Sequence, residues 1–235
     1  MEFGVILAGG IGKRMGNAEK PKQFLQVGGK PIIVHTVEKF MVCDEFEQVI
    51  VLCPQPWIEH TKNLLKKHIA NTDRVVVIEG GETRNETVMN SIRYIEKNFG
   101  LDEETIIVTH DAVRPFLTYR IIQDNIKFAK KFGACDTVIP ATDTIVEAMD
   151  NEIISQIPDR AKMYQGQTPQ SFKALTLKNL YEALTEEEKE ILTDAAKIFV
   201  MKGEKVYLVE GETFNIKITY PYDLTVAESL LKGER

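Results

Sequence analysis

Residues 3–16 read FGVILAGGIGKRMG, and PKQF follows at residues 21–24. The apolar run over residues 3–8 ends at a glycine pair, a pattern typical of a buried strand that enters a tight loop. Glycines let backbone N–H groups approach phosphate oxygens without a Cβ in the way. Lys13, Arg14 and Lys22 add positive charge to this loop. Since open α/β sheets bind ligands at the carboxyl ends of their strands, the stretch predicts an anion site there.

The glycine spacing differs from that of two common phosphate loops. The Walker pattern GxxxxGK[ST] is absent, and Gly10, Gly12 and Gly16 give GxGxxxG in place of the dinucleotide fingerprint. Pro21 also interrupts the helix that a dinucleotide fold would start here. The pattern therefore disfavours a dinucleotide-dependent reductase.

Strand and helix patterns alternate through the first two thirds of the chain. Further strands are predicted over residues 48–53, 74–78 and 105–109, and helices over residues 31–41, 57–69, 86–99 and 120–132. This alternation predicts an α/β fold: a three-layer, mostly parallel, Rossmann-like sheet with helices on both faces.

The rhythm changes after residue 135. Short strand patterns cover residues 136–139, 144–148, 152–156 and 163–166, with a hairpin turn predicted at Asp150-Asn151. Projecting strands need an edge partner, so we expect a β-arm at about residues 136–170 that pairs two subunits. Helices over residues 174–184, 186–201 and 222–231 and a strand over residues 205–209 complete one predicted domain of residues 1–235.

Composition limits the possible partners. The 235 residues carry 29 Lys+Arg and 35 Asp+Glu, and the net charge of 29 − 35 = −6 disfavours nucleic-acid and anionic-membrane binding. No apolar run is long enough to span a membrane, and Glu2 stands where a secretory signal would carry bases. The three scattered cysteines exclude a disulfide framework and a cysteine zinc site. We expect a cytoplasmic protein without membrane insertion.

At this point the sequence resembles a family. LAGGxGxRMG with PKQF is similar to the amino-terminal signature of sugar-type nucleotidyltransferases, and in particular of the cytidylyltransferases that act on methylerythritol 4-phosphate and ribitol 5-phosphate. The resemblance covers nearly the whole chain. Its other motifs are GGETRNETV at 80–88, HDAVRPF at 110–116, QTPQSF at 167–172, TD at 193–194 and NIK at 215–217.

The resemblance implies attack of an acceptor phosphate on the α-phosphorus of CTP, with Mg²⁺ as the divalent cation. It assigns charge stabilisation at the α-phosphate to Arg14 and Lys22, and the acceptor phosphate to Arg160 and Lys217. Arg160 would reach the partner subunit's site from the β-arm of a homodimer, with Thr144 helping to orient the acceptor. A phosphate monoester is already largely dianionic at neutral pH, so the reaction needs no general base. The four histidines accordingly form no nucleophile–base pattern.

The same resemblance outlines the nucleotide site. Leu7, Ala8, Gly9 and Gly10 would contact base and ribose, and the segment after Gly80 would recognise cytosine, with the Thr87 hydroxyl as its side-chain contact. The implied CTP-binding set also includes Gly81, Glu82, Thr83, Arg84, Asn85, Glu86, Val88, Asp111 and Ala112. Asp111 either lies near Mg²⁺ or caps the turn before Pro115. Arg114 is either structural or catalytic, and Thr193 and Asp194 either line the pocket or are ordinary helix residues.

Two details bear on the acceptor. The run YQGQTPQSF at 164–172 is similar to the ribitol-phosphate branch, whereas the methylerythritol branch usually has Leu-Trp before QTPQ. Ala195 stands where the methylerythritol branch commonly has a second acid after TD, although Ala196 departs from the TDAC of many ribitol enzymes. These details favour ribitol 5-phosphate, with methylerythritol 4-phosphate of isoprenoid synthesis as the alternative. CDP-ribitol would then feed polyol-phosphate polymers of a bacterial envelope, the teichoic acids.

A hypothesis from a different class is a non-catalytic, nucleotide-binding regulatory subunit. Such a protein would keep the glycine loop and lose the cations. Here Arg14, Lys22, Arg160 and Lys217 are all present, which favours the enzyme.

Overall fold

The structure is a computed structural model that describes residues 1–10 and 20–233. Within these residues the strands are β1 (Glu2–Leu7), β2 (Gln26–Val27), β3 (Lys30–Pro31), β4 (Phe46–Cys53), β5 (Val75–Glu79), β6 (Ile106–Asp111), β7 (Ala134–Pro140), β8 (Tyr164–Lys173) and β9 (Tyr207–Glu210). The helices are α1 (Ile32–Met41), α2 (Ile58–His68), α3 (Arg84–Phe99), α4 (Tyr119–Phe132), α5 (Ala174–Glu182), α6 (Glu186–Glu190), α7 (Ala195–Met201) and α8 (Pro221–Gly233).

Seven of the described strands form one sheet in the order β5-β4-β1-β6-β8-β7-β9. β1 pairs in parallel with β4 and β6, whereas β8 runs antiparallel between β6 and β7. The predicted mostly parallel sheet is confirmed. The carboxyl ends of β1, β6 and β7 therefore meet at one edge of the sheet, where an open α/β fold places its ligands.

Helices cover both faces, as predicted. On one face α1 and α2 pack near β4 and β5, and α4 packs on β6, β7, β8 and β9, through side chains such as Val37, Leu65 and Ile126. On the other face α3, α5 and α7 pack through Ile92, Leu177 and Ile198. The central strands are consequently covered on both faces: every residue of β6 is buried.

The predicted helix over residues 186–201 is wrong in extent. The chain leaves the helical path after Glu190, and a new helix starts at Ala195. Asp194 caps it, since its Oδ1 accepts a hydrogen bond from Lys197 N at 3.0 Å. Thr185 and Glu188 form a capping box at the start of α6.

We use "arm" for residues 141–163, which join β7 to β8. The two strands predicted inside it are reduced to one antiparallel bridge between Glu147 and Gln156. The turn lies where expected, because Asp150 Oδ1 accepts from the backbone N–H groups of Glu152 and Ile153, and Asn151 has a φ of 62°. The fourth predicted strand, over residues 163–166, is the beginning of the much longer β8.

The arm carries large apolar side chains that are at least half exposed: Val146, Met149, Ile153, Ile154 and Ile157. No helix within the described ranges is long and apolar enough to cross a membrane.

Candidate active site

A cavity of about 450 Å³ opens at the carboxyl ends of β1 and β6. The residues that line it are Leu7, Ala8, Gly9, Gly10, Lys22, Gln23, Gly81, Glu82, Thr83, Arg84, Thr87, Asp111, Ala112, Val113, Lys217 and Thr219. Five separate parts of the chain thus meet at the edge of the sheet that the first glycine loop predicted.

The first wall is the backbone that continues β1. Ala8 N donates to Leu52 O at 2.8 Å, and Ala8 O accepts from Gln23 Nε2 at 2.7 Å. Lys22 is only 9% exposed, and its Nζ donates to Ile218 O at 2.9 Å. The PKQF motif therefore both holds the glycine-rich backbone and places a cation at the cavity.

The second wall is the start of α3, which a capping box holds. Thr83 Oγ1 accepts from Glu86 N at 3.1 Å, and the Glu86 carboxylate accepts from Thr83 N at 3.1 Å. Because this helix begins at the cavity, the positive end of its dipole favours an anionic ligand there. A Cβ on Gly81 would lie 2.4 Å from Glu86 Cβ, so the close approach requires glycine.

The Thr87 hydroxyl is already used within this second wall. It donates to Thr83 O at 2.8 Å and accepts from Gly81 N at 3.0 Å. A hydroxyl has one hydrogen and two lone pairs. Toward a ligand, the Thr87 hydroxyl therefore offers only an acceptor.

Asp111 is the electrostatic centre of the cavity. Its Oδ2 lies 2.8 Å from Lys217 Nζ and 3.6 Å from Arg114 Nε, and its Oδ1 pairs with Arg84 Nη1. Burial by itself raises the pKa of Asp111, but the charges of Arg84, Lys217 and Arg114 outweigh burial and hold that pKa far below its usual range. The carboxylate is ionised at neutral pH and pairs with cations, so the turn-capping alternative is not the one that the structure has.

Arg114 and His110 support this centre from below. Arg114 Nη1 donates to Asn215 O at 2.8 Å, which ties the NIK motif to the cavity. His110 is fully buried between the Thr168 hydroxyl, 2.9 Å from its Nδ1, and the Arg114 carbonyl, 3.0 Å from its Nε2. Burial lowers the pKa of His110 to about 4. The imidazole is neutral, and both of its ring nitrogens have hydrogen-bond partners, which indicates a structural role.

The cavity brings together most of the residues that the sequence singled out. Asn85, Glu86 and Val88 belong to the same segment but do not line the cavity: Val88 packs into the core beneath α3, and Glu86 serves the capping box. Arg160 and Thr144 lie exposed on the arm, away from their own chain's cavity. Asp194 caps α7 and Thr193 does not line the cavity. Arg14 and Lys13 fall outside the described residues.

Sequence reasoning missed Gln23, Val113 and Thr219 as lining residues. Each stands within two positions of a residue that the motifs did identify, so proximity in sequence was the available signal. The sequence also gave no sign that Arg84 and Arg114 both pair with Asp111.

The donor set suits a Mg²⁺ ion that arrives with a nucleotide. No group of three His, Cys, Asp or Glu side chains able to hold a metal occurs in the described ranges. Mg²⁺ usually keeps several waters and binds through one or two carboxylates plus substrate phosphates. The single ionised carboxylate of Asp111 fits such a site, and a resident metal held by the protein alone does not.

The class of protein is the nucleotidyltransferases. Its features here are the three-layer α/β fold, the glycine-rich backbone wall and the three cations around one carboxylate. The family model described as IspD, 2-C-methyl-D-erythritol 4-phosphate cytidylyltransferase, matches residues 3–233. The chain belongs to this family of cytidylyltransferases.

Solved structures support the same assignment. The chain is similar to 4-diphosphocytidyl-2C-methyl-D-erythritol synthase from Anaerococcus prevotii, at 25% identity over 99% of this chain and 96% of that one, with a TM-score of 0.80. It is also similar to the 2-C-methyl-D-erythritol 4-phosphate cytidylyltransferases of Francisella tularensis (28% identity, 97% and 98% of the two chains, TM-score 0.80) and Thermus thermophilus (29%, 97% and 98%, 0.73).

Proposed function

We propose that the protein transfers CMP from CTP to the phosphate of a short polyol phosphate and releases pyrophosphate. An oxygen of the acceptor phosphate forms a bond to the α-phosphorus, and the bond from that phosphorus to the bridging oxygen of the β-phosphate breaks. The observation that supports this proposal most is the set of three cations around Asp111 at one cavity: Lys217 and Arg84 line the cavity, and Arg114 lies beneath it. Reactions of this type depend on positioning and on cations around an anionic transition state.

For the nucleotide, the proposal uses the two walls of the cavity. The backbone of residues 7–10 would contact base and ribose, and the segment from Gly81 to Thr87 would recognise cytosine. The acceptor lone pair of Thr87 matches the 4-amino group of cytosine, which is a donor, and it does not match the carbonyl oxygen of uracil. This pairing supports CTP over UTP.

For the chemistry, the proposal needs cations and no base. Lys22 and Arg14 would stabilise charge at the α-phosphate, and Lys217 would hold the acceptor phosphate in line. The acceptor is largely dianionic at neutral pH, so no proton has to be removed. The buried, neutral His110 is consistent with that requirement. Asp111 would hold Mg²⁺, which when bound neutralises charge on the triphosphate.

For the acceptor side, we propose a homodimer in which the arm reaches the partner's cavity. Arg160 is exposed, and its Nη1 donates to Thr142 O at 2.9 Å. The other N–H groups of its guanidinium would bind the acceptor phosphate in the partner's cavity. The exposed apolar side chains of the arm, from Val146 to Ile157, supply the kind of surface that a subunit interface buries. Thr144, exposed on the same arm, would orient the acceptor.

Two acceptors are candidates, and different observations favour them. The matching family model and the solved relatives are named for methylerythritol 4-phosphate, so the comparisons favour that acceptor by name. The residues of this chain favour ribitol 5-phosphate. The residues YQG at 164–166 precede QTPQ, where the methylerythritol branch usually has a Leu-Trp element, and Ala195, 2% exposed, stands where that branch commonly has a second acid after Asp194.

We propose ribitol 5-phosphate as the acceptor, with methylerythritol 4-phosphate as the second candidate. Identities of 25–29% to the methylerythritol enzymes leave room for a changed acceptor on a kept fold. The cytoplasm is the proposed compartment, since Cys43, Cys53 and Cys135 are free buried thiols.

The test is pyrophosphate release from each nucleoside triphosphate with Mg²⁺ and either acceptor. We expect release with CTP that depends on an acceptor, and release at least 100-fold slower with UTP, because a buried mismatched polar group is costly. Tight CTP binding without release from either acceptor would favour the regulatory-subunit hypothesis.

A further inference from the structure

A second buried carboxylate, Asp136, lies on the same face of the sheet as Asp111. Gln170 of β8 pairs with Thr109 of β6 on one side and with Asp136 of β7 on the other. Directly opposed residues point to the same face, and so do residues two apart in one strand. Asp111 and Asp136 therefore share the face that α3 and α7 cover.

The two carboxylates differ in their partners. Three cations surround Asp111, whereas no cation in the described ranges lies within ion-pair distance of Asp136. Asp136 Oδ2 accepts one hydrogen bond, from Gln170 Nε2 at 3.1 Å, and its Oδ1 is buried without a partner. Buried polar groups are normally satisfied, so an open carboxylate oxygen needs a reason.

The charged and titratable groups that face Asp136 come from each neighbouring element. The charges of Asp194 at the start of α7, Arg84 of α3 and Arg114 after β6 interact with Asp136, and the Cys135 thiol lies on the other face of β7. Burial raises the pKa of Asp136 to about 7, the Asp194 charge adds to that rise, and the Arg84 charge opposes it. Asp136 is thus electrostatically linked to Arg84 without being paired to it.

Arg84 has N–H donors that form no hydrogen bond within the described residues. Its guanidinium carries five N–H groups, and of these only Nη1 forms a hydrogen bond within the described residues, to Asp111. Arg84 also lines the cavity. A triphosphate in that cavity would compete with Asp111 for its cations, and Mg²⁺ would compete with Arg84 for Asp111.

We propose that Asp136 is a positioning residue that receives the Arg84 guanidinium when CTP occupies the cavity. The proposal rests on the proposed function, since it needs a triphosphate to weaken the pair between Arg84 and Asp111. Asp136 Oδ1 then gains its missing donor, and Arg84 is fixed against a second carboxylate while its other N–H groups face the phosphates.

A measurable consequence is proton release. Near pH 7 Asp136 is about half protonated, because its pKa is about 7. Pairing with Arg84 lowers that pKa, so CTP binding should expel about half a proton from Asp136.

The experiment is titration calorimetry of the full chain with CTP and Mg²⁺ at pH 7, in two buffers of different ionisation enthalpy. The difference in heat gives the protons released. We expect Asp136→Asn to release about half a proton less than the wild type, and the control Asp124→Asn, a partly exposed carboxylate of α4, to match the wild type. Asp194→Asn keeps the helix cap and removes the charge facing Asp136, so its proton release should peak at lower pH.

The outcomes separate the two proposals. Absence of CTP binding by the wild type contradicts the proposed function, and the inference fails with it. CTP binding with equal proton release in the wild type and Asp136→Asn overturns the inference alone. Should Asp136→Asn fold poorly, an unshifted pH profile in Asp194→Asn overturns it equally.

Discussion

Lys217 Nζ lies 2.8 Å from Asp111 Oδ2, and this contact joins the end of a central strand to a loop near the carboxyl terminus. Two bonds hold that loop in place: Arg114 Nη1 donates to Asn215 O at 2.8 Å, and Ile218 N donates to Val113 O at 2.9 Å. Motifs that stand far apart in the sequence therefore meet through backbone contacts, and the charged side chains complete the site.

Asp111→Asn should destabilise the fold at pH 7. The substitution leaves Lys217, Arg84 and Arg114 facing each other without a counter-charge, and breaking a buried pair of this kind costs about 3–5 kcal/mol. Since the pKa of Asp111 is held far below its usual range in the folded state, its contribution is fully present above the unfolded pKa of about 3.9 and declines gradually as the pH falls from there toward the folded pKa. Urea unfolding should show a large difference from the wild type at pH 7 and a smaller but still clear difference at pH 3.

Arg160→Ala should lower the turnover number by about 100-fold or more and leave CTP affinity nearly unchanged. The reason is the proposed role of Arg160 at the acceptor phosphate of the partner's site. Lys162→Ala, an exposed neighbour on the same arm, is the matched control. A large loss of CTP affinity in Arg160→Ala would contradict the role.

Mixing Arg160→Ala with Lys217→Ala tests whether Arg160 acts across subunits. A mixed dimer then has one cavity with its own Lys217 and the partner's Arg160. After exchange of subunits we expect about a quarter of wild-type activity, because half of the dimers are mixed and each has one complete site. Activity no higher than that of the separate variants would place Arg160 in its own chain's site or nowhere in it.

Thr87→Val should weaken CTP binding by about tenfold. Valine has nearly the same shape but loses the hydroxyl that accepts from Gly81 N and that we propose accepts from cytosine. Thr61→Val is the control, since Thr61 is buried in α2 and its hydroxyl donates to Trp57 O at 2.8 Å. Both variants lose a buried hydrogen bond, but only Thr87 lines the cavity. Only Thr87→Val should therefore change the dissociation constant for CTP.

Asp136→Asn should raise the free energy of unfolding at pH 8 by about 1–3 kcal/mol. The folded pKa of Asp136, about 7, lies above its ordinary value, so the ionised carboxylate destabilises the wild type. Because the folded pKa of this acid is raised, the wild type loses stability as the pH rises from about 4 to 7. The extra stability of the variant over the wild type grows over the same interval. Equal free energies of unfolding of the two proteins at pH 8, measured with urea, would mean that Asp136 is not a buried, unpaired carboxylate.

Local patterns were sufficient for the layers of the fold. Apolar runs predicted β1, β4, β5 and β6. In the structure Gly100 and Gly133 follow the last residues of α3 and α4, and both adopt positive φ. Only the first residues of β8 were predicted, because its QTPQ segment is polar and holds Pro169, and the rest of the strand forms by pairing with β6 and β7. The break before α7 depends on one cap, Asp194, inside a pattern that is otherwise helical.

The site was predicted as a set of motifs and not as a network. Residues 7–10, 81–84, 87 and 111 were expected at the nucleotide and Lys217 at the acceptor phosphate, and the structure brings them around one cavity. The pairing of Asp111 with three cations depends on distances between elements remote in sequence. Asp136 carries no motif, and only burial against α7 makes its carboxylate unusual.

The central claim, CMP transfer to a polyol phosphate, is tested most directly by competition between the two acceptors. The protein receives CTP, Mg²⁺ and equal concentrations of ribitol 5-phosphate and methylerythritol 4-phosphate, and mass spectrometry follows the CDP-polyol products. The ratio of products gives the ratio of kcat/KM values. We predict both acceptor-dependent pyrophosphate release and CDP-ribitol as the main product. If cytidine diphosphate methylerythritol is the main product, the acceptor is methylerythritol 4-phosphate and not ribitol 5-phosphate. The absence of any CDP-polyol would contradict CMP transfer to a polyol phosphate.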